Sequence, residues 1–165
     1  MIAKQIHVVR QVGKWARRLD TDQIKQKSRP LTKTASGNAV IAFDTLIASA
    51  KAYDNQIEPQ IMAISLSQDL ALDIMAFTVM KHLADSAQRP LDGNNDVAPW
   101  LQNLSEFAAQ FFRKYQTVDM SGLLTFLVHK LRDEDDSFIL GFMINRIISK
   151  MFGWTDLEIH QLTES

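Results

Sequence analysis

Four histidines and one acidic run are the residues of this sequence whose types could bind a metal ion or transfer protons. The histidines are His7, His82, His129 and His160. They form no HExxH motif, and a metal site needs three or four convergent ligands, so each is expected to be a surface or boundary residue. The run Asp133–Asp136 lacks the alternating ligands and the glycine of a calcium loop, and it lies where carboxylates stabilise a helix start. The sequence therefore predicts no catalytic, cofactor-binding or metal-binding residue, and a protein that is not an enzyme.

The composition is that of one folded domain. The chain has 165 residues, of which 46% are hydrophobic, and this is enough to bury a core without a disulfide or a metal ion. It contains no cysteine, which excludes a disulfide framework and a thiolate metal site. No apolar run reaches the ~18 residues that cross a membrane. We expect a single domain over residues 1–165 and no membrane partner.

Charged residues are divided unevenly along the chain. Residues 1–34 carry nine Lys and Arg against two Asp, a net charge of +7, whereas residues 35–165 carry nine against seventeen Asp and Glu, a net charge of −8. Such a basic segment can contact RNA or DNA, bind an acidic partner, or be a solvated face matched to the acidic remainder. Its aromatic residue, Trp15, has the spacing of a core residue rather than of a base-stacking platform. The candidate nucleic-acid contacts are Arg17, Arg18, Lys25, Lys27, Arg29 and Lys33.

Helical periodicity is the dominant pattern, and it organises the chain around residues 100–151. Apolar residues recur there at three- and four-residue steps, which places them on one face of a helix. The first such face consists of Trp100, Leu101, Leu104, Phe107, Ala108, Phe111 and Tyr115. No segment alternates convincingly with the strand period, so a sheet is not expected. The pattern predicts an all-α fold of about eight helices, stacked as antiparallel pairs in a HEAT-like α-solenoid.

Turn and capping residues predict where the helices begin and end. Pro30 is expected to shorten, kink or break the second helix, because proline removes a backbone donor and clashes with the preceding turn. Ser36–Asn38 predicts a turn before the next helix. Ser67 is expected to cap a longer helix further on. The expected apolar residues of that longer helix are Leu70, Ile74, Phe77, Val79, Met80 and Leu83.

Several segments resemble one protein family, THO complex subunit 2, the largest subunit of the THO complex. The segments that carry this resemblance are PWLQNLSEFAAQFFRKY, DMSGLLTFLVHKL and IISKMFG, preceded in the same order by VGKWARRL, NAVIAFDTLIASAKAYDNQI and DLALDIMAFTVMKHL. One departure is Gln116, where the family often has proline. Family members are far longer and the first apolar helix lacks a capping residue, so we expect a segment excised from a longer scaffold subunit.

The resemblance implies a non-enzymatic scaffold of the nuclear THO and transcription–export complexes, which act in mRNA processing and export. Its implied partners are the other THO subunits and a DEAD-box RNA helicase, because the region is similar to the middle domain of translation initiation factor 4G. That domain is a stack of helical pairs that holds the two lobes of a DEAD-box ATPase. An RNA- or DNA-binding helical module that uses residues 4–33 is the alternative.

Contacts with the helicase are expected at loops and helix ends, because the helix faces are consumed by the core. The candidate partner-binding residues are Lys51, Asp54, Arg89, Asp92, Asp133 and Asp136. Through them the chain is expected to dock the helicase and stimulate it.

Overall fold

The computed structural model describes residues 2–19, 24–85, 91, 92, 94, 96–132 and 145–149. The regular secondary structure of these ranges is helical and includes no strand, which confirms the expected all-α fold; Leu91 and Val97 form an isolated antiparallel bridge. Short 3-10 helices at Asp54–Gln56 and Ile64–Leu66 flank the third helix, and residues 145–149 are helical as well. The longer helices are α1 (Ile2–Ala16), α2 (Ile24–Ala52), α3 (Ile57–Ala63), α4 (Asp69–Leu83), α5 (Pro99–Lys114) and α6 (Ser121–Leu131).

Helix α2 lies at the centre of the packing, although the sequence pattern placed the organising stretch at residues 100–151. It contacts α1, α3, α4 and α5. Its C-terminal half is apolar over a wide arc, and Phe43, Leu46, Ile47 and Ala50 are all fully buried. A helix with such an arc needs neighbours on several sides, so the other helices gather around α2.

The expected break at Pro30 is wrong. Helix α2 runs through Pro30, and its one residue with non-helical torsions is Asn38, with φ −153° and ψ 54°. The buried side chains of Leu31 and Ala35 hold this part of α2 against the core, which offsets the loss of one backbone hydrogen bond at proline. The turn predicted at Ser36–Asn38 is confirmed, because two helical segments of α2 meet there across a kink at Asn38.

The buried face of α4 takes up only some of the apolar residues expected for this helix. Leu72, Met75, Ala76 and Val79 are buried, whereas Leu70 is 70% exposed and Phe77 is 56% exposed. Helix α4 has more apolar residues than a single face can hold, and its packing against α2 and α5 determines which of them are buried. The predicted cap is also displaced, because Ser67 ends the preceding 3-10 helix and Gln68 precedes α4 without a side-chain capping bond.

The expected core face of α5 is confirmed. Its buried apolar residues include Leu101, Leu104, Phe107, Ala108 and Phe111, and Trp100 and Tyr115 at the two ends are half-buried. The hydroxyl of Tyr115 donates a 2.6 Å hydrogen bond to the carbonyl oxygen of Ile61, which ties the end of α5 to α3. Burial raises the pKa of Tyr115 to about 12, so this hydroxyl keeps its proton throughout the neutral range.

Candidate functional site

An ion cluster joins α2 to α4. The carboxylate of Asp44 accepts a 2.8 Å hydrogen bond from Lys81 Nζ at one oxygen, and His82 Nε2 lies 3.2 Å from the other. Lys81 is half-exposed, whereas the side chain of His82 is mostly covered. No sequence pattern predicts this cluster, because Asp44 and His82 are 38 residues apart and neither residue stands in a motif that would link them.

The ion cluster forms one wall of a cleft between α1 and α4. The cleft has a volume of about 670 Å³, and residues from α1, α2 and α4 line it. Val9, Thr45 and Ala48 contribute its apolar surface, while Asp44 and Lys81 contribute charge. An apolar cleft with a few convergent polar groups is the usual form of a binding site, so this cleft is a candidate contact surface.

His82 makes the stability of this region depend on pH. Burial and the neighbouring Lys51 cation lower the pKa of His82, and they outweigh the opposing attraction of Asp44. A histidine in an unfolded chain titrates near 6.5. Just below that pH, His82 is therefore protonated in the unfolded chain to a larger extent than in the folded chain. The free energy of unfolding should therefore fall as the pH drops below about 6.5, and should be fully recovered above it.

Replacing His82 by glutamine tests this prediction by denaturant unfolding between pH 5 and 8. Glutamine keeps a donor for Asp44 but does not titrate, so the variant should lose less stability on acidification than the wild type. Both proteins contain the other histidines, so the contribution of these residues to the pH dependence of unfolding cancels in the comparison. A wild type that gains stability relative to the variant at low pH would show that Asp44 dominates the pKa of His82.

Lys51 does not occupy the exposed position expected of a partner contact. It lies in the last turn of α2 and is only 9% exposed, with Nζ 4.7 Å from the centre of the Trp100 ring. Burial lowers the pKa of Lys51, against the opposing attraction of Asp85. The side-chain amide of Asn103 donates a hydrogen bond to the Lys51 carbonyl oxygen. This residue therefore joins α2 to α5 rather than presenting its charge to a partner.

A second, polar groove lies between α3 and α5. Two adjoining cavities of about 460 and 470 Å³ share Glu106 and Gln110 in their walls. Glu106 accepts hydrogen bonds from Gln110 Nε2 at 2.7 Å and from Arg146 Nε at 3.2 Å. Asp54, one of the predicted partner contacts, is exposed and lines the first cavity. The groove thus places one predicted contact at an accessible helix end.

Another predicted partner contact lies in the loop before α5. Asp92 is exposed, and its Oδ1 accepts hydrogen bonds from the backbone N–H groups of Asn94 and Asp96. These bonds shape the loop before α5. Arg89, Asp133 and Asp136 lie outside the described residues.

The predicted nucleic-acid contacts are in part exposed, just after the end of α1 and on α2. Arg17, Arg18, Arg29 and Lys33 are exposed, and Arg17 Nε donates to the Gly13 carbonyl oxygen. The side chains of Lys25 and Lys27 lie outside the described residues. Trp15 packs against the core, as its spacing predicted.

Within the described part of the chain, no group of three or more histidine, aspartate and glutamate side chains is arranged to hold a metal ion. None of its helices combines the length and the apolar character needed to cross a membrane.

Relatives of this chain come from animals, plants and fungi. Residues 31–105 match a family model described as a transcription- and export-related complex subunit. The chain is 29% identical over 138 residues to THO complex subunit 2 of Homo sapiens, covering 83% of this chain and 8% of the human protein. The predicted resemblance to THO complex subunit 2 is confirmed.

Two further relatives with the same name show how much of the family the chain covers. THO complex subunit 2 of Arabidopsis thaliana is 30% identical over 117 residues, or 70% of this chain and 6% of the plant protein. THO complex subunit 2 of Saccharomyces cerevisiae is 26% identical over 142 residues, or 84% of this chain and 9% of the yeast protein. The chain thus spans less than a tenth of the length of these relatives.

The family match falls on the part of the structure that carries the ion cluster. Residues 31–105 contain most of α2, all of α3 and α4, and the start of α5. Asp44, Lys81 and His82 therefore belong to the segment that matches the THO complex subunit 2 family model. Most of the basic segment, up to Arg29, precedes that match.

Proposed function

We propose that this chain is a non-enzymatic scaffold segment of a nuclear THO and transcription–export complex, in which it docks a DEAD-box RNA helicase and stimulates it during mRNA processing and export. The observation that carries the proposal is the similarity to THO complex subunit 2 over 83% of the chain. The other THO subunits are then further partners. The packed helices supply what a scaffold needs, which is a rigid surface with accessible helix ends.

A helical stack can stimulate a DEAD-box helicase through the position of its two lobes. The helicase core is active when both lobes close on ATP and RNA. A rigid partner that contacts both lobes raises the population of the closed state only if it binds the closed arrangement more tightly than the open one, and only by that difference in affinity. Such coupling is typically about 1–3 kcal/mol, or roughly 5- to 150-fold. Asp54 and Asp92 are the exposed candidate contacts among the described residues, and Lys51 is not one.

An ATPase assay with the cognate helicase and RNA tests this proposal. We expect the chain to raise RNA-dependent ATP turnover within the roughly 5- to 150-fold range and to hydrolyse no ATP alone. Asp54→Lys should lower the stimulation about threefold or more, because a reversed charge repels a partner that complements the original one. Asp92→Asn should lower it while preserving the loop, since asparagine keeps the acceptor oxygen.

Thr125→Lys, which adds a charge at an exposed position of α6, is the control and should leave the stimulation unchanged. All variants should melt as the wild type does. A folded chain that neither binds the helicase nor changes its turnover would contradict the docking proposal.

RNA binding is the second candidate function, and the exposed basic face of α1 favours it. Arg10 and Lys14 lie four residues apart on α1, Arg17 follows directly after its last residue, and all three are exposed. None of them forms an ion pair with another residue that the structure describes. Arg29 and Lys33 add exposed charge on α2. A row of exposed cations that no described carboxylate pairs with is the kind of surface that neutralises a phosphate backbone.

Salt dependence distinguishes this function from the first. Each phosphate contact to single-stranded RNA contributes about 0.7 to the slope of log K against log salt. The double variant Arg10→Glu and Lys14→Glu should therefore lower that slope by about 1.4 and weaken binding at low salt. The matched control, Lys114→Glu and Arg132→Glu, changes the net charge equally at distant exposed positions. Equal losses in both variants would mean a non-specific charge effect.

A further inference from the structure

Helix α4 carries a row of apolar side chains that the described part of the chain covers only in part. Leu70, Ile74 and Phe77 recur at four- and three-residue steps, so they share one face of the helix. Leu70 and Phe77 are 70% and 56% exposed, and Ile74 is half-buried. We call these three residues the α4 stripe. Single exposed apolar residues are ordinary, but a continuous row usually marks an interaction surface.

The charge beside the α4 stripe is negative. Asp69 and Asp73 are exposed next to it, and neither forms an ion pair with a described residue. Lys81 lies one turn beyond Phe77, but its ammonium group is bound to the carboxylate of Asp44. Acids that no described cation neutralises attract a partner helix whose apolar face is flanked by cations.

We propose that the α4 stripe docks an amphipathic helix of a partner protein whose apolar face is flanked by lysine or arginine. Anchors at i, i+4 and i+7 are the spacing with which one helix lies along another. The apolar side chains supply the contact, and Asp69 and Asp73 select a basic partner over an acidic one. One turn beyond Phe77 lies Lys81, which lines the 670 Å³ cleft. This cleft can accept a side chain from the end of the docked helix. The surface differs from the loops proposed for the helicase.

Two designed peptides and their control probe this surface. Each is an 18-residue helix with leucines in one row, flanked by lysines in the first peptide and by glutamates in the second; the third is a scrambled lysine peptide. Fluorescence anisotropy with the 165-residue chain measures their binding. We expect the lysine helix to bind at least about tenfold more tightly than the other two, because it alone matches both the apolar row and the acids.

Point variants locate the binding. Leu70→Ser and Phe77→Ser should each weaken the lysine helix at least about tenfold, as expected for central anchors. Leu124→Ser, at a residue that is 54% exposed on α6, is the control and should have no effect. Asp73→Lys should weaken the lysine helix about threefold and strengthen the glutamate helix, whereas Asp96→Lys should do neither.

Four results would overturn the proposal. The first is equal affinity for the lysine and glutamate helices, and the second is binding that Phe77→Ser leaves unchanged. A wild type that sediments as a dimer and a Phe77→Ser variant that sediments as a monomer would identify a second copy as the occupant. A denaturation midpoint lowered much more by Phe77→Ser than by Leu124→Ser would identify an occupant within the chain itself. Helicase stimulation is measured separately, so a failure of either proposal leaves the other intact.

Discussion

Replacing Phe111 by alanine is expected to lower the free energy of unfolding by about 3–5 kcal/mol, the range for truncation of a buried large aromatic side chain. Phe111 is 0% exposed. Its ring lies 5.1 Å from that of Phe112, 5.3 Å from that of Tyr115 and 6.4 Å from that of Phe107, measured between ring centres. Alanine at this position leaves a cavity within the aromatic cluster that joins α5 to the core. Denaturant unfolding followed by circular dichroism measures the loss.

Phe77→Ala is the matched control for Phe111→Ala. It removes the same atoms from α4, but Phe77 is 56% exposed. More than half of the Phe77 surface is already in contact with water in the folded chain. Truncating this side chain therefore removes little buried apolar surface, and we expect the free energy of unfolding to fall by less than about 1 kcal/mol. Similar losses in the two variants would mean that Phe77 is covered in the folded chain, and that the exposed face of α4 has been assigned incorrectly.

Replacing Gln60 by methionine is expected to raise the free energy of unfolding by about 1–2 kcal/mol. Gln60 is 1% exposed in α3, and neither its amide nitrogen nor its amide oxygen has a hydrogen-bond partner among the described residues. A buried polar group without a partner costs about 1–3 kcal/mol. Methionine has a similar length and volume, so it fills the same space without that cost. Thermal unfolding should show a midpoint raised by roughly 2–8 °C for a domain of this size.

Gln110→Met is the control for Gln60→Met because it makes the same change where the amide is bonded. Gln110 is half-buried and donates a 2.7 Å hydrogen bond to Glu106. Removing that bond should lower stability by about 0.5–1.5 kcal/mol, the net value of one hydrogen bond. A destabilised Gln60→Met variant would show that the Gln60 amide is hydrogen-bonded in solution, through a water molecule for example.

Local patterns predicted the local features of this chain well. The spacing of Leu104, Phe107 and Phe111 predicted the buried face of α5, because residues at three- and four-residue steps must share one side of a helix. Ser36–Asn38 marked the place where the backbone of α2 departs from helical torsions. The expectation at Pro30 failed, since the packing of the neighbouring Leu31 and Ala35 outweighs a local helix-breaking tendency of proline.

Contacts between distant residues could not be read from the same patterns. Asp44 meets Lys81 and His82 across 37 and 38 positions, and no periodicity connects them. Lys51 follows an ordinary helical pattern near a helix end, which predicts exposure, yet α5 covers it with the ring of Trp100. Both contacts depend on how α4 and α5 lie against α2, which is a property of the assembled core.

The helical class, the core face of α5 and the resemblance to THO complex subunit 2 could be predicted, because each depends on residue type and spacing within one segment. The packing of the helices, in contrast, controls which apolar side chains of α4 are buried. Both Val79 and Phe77 fit a helical apolar pattern, but the neighbours of α4 cover Val79 and leave Phe77 exposed. A helix with more apolar residues than one face can hold has two possible interfaces. Packing energy against α2 and α5 buries one of them and leaves the other at the surface.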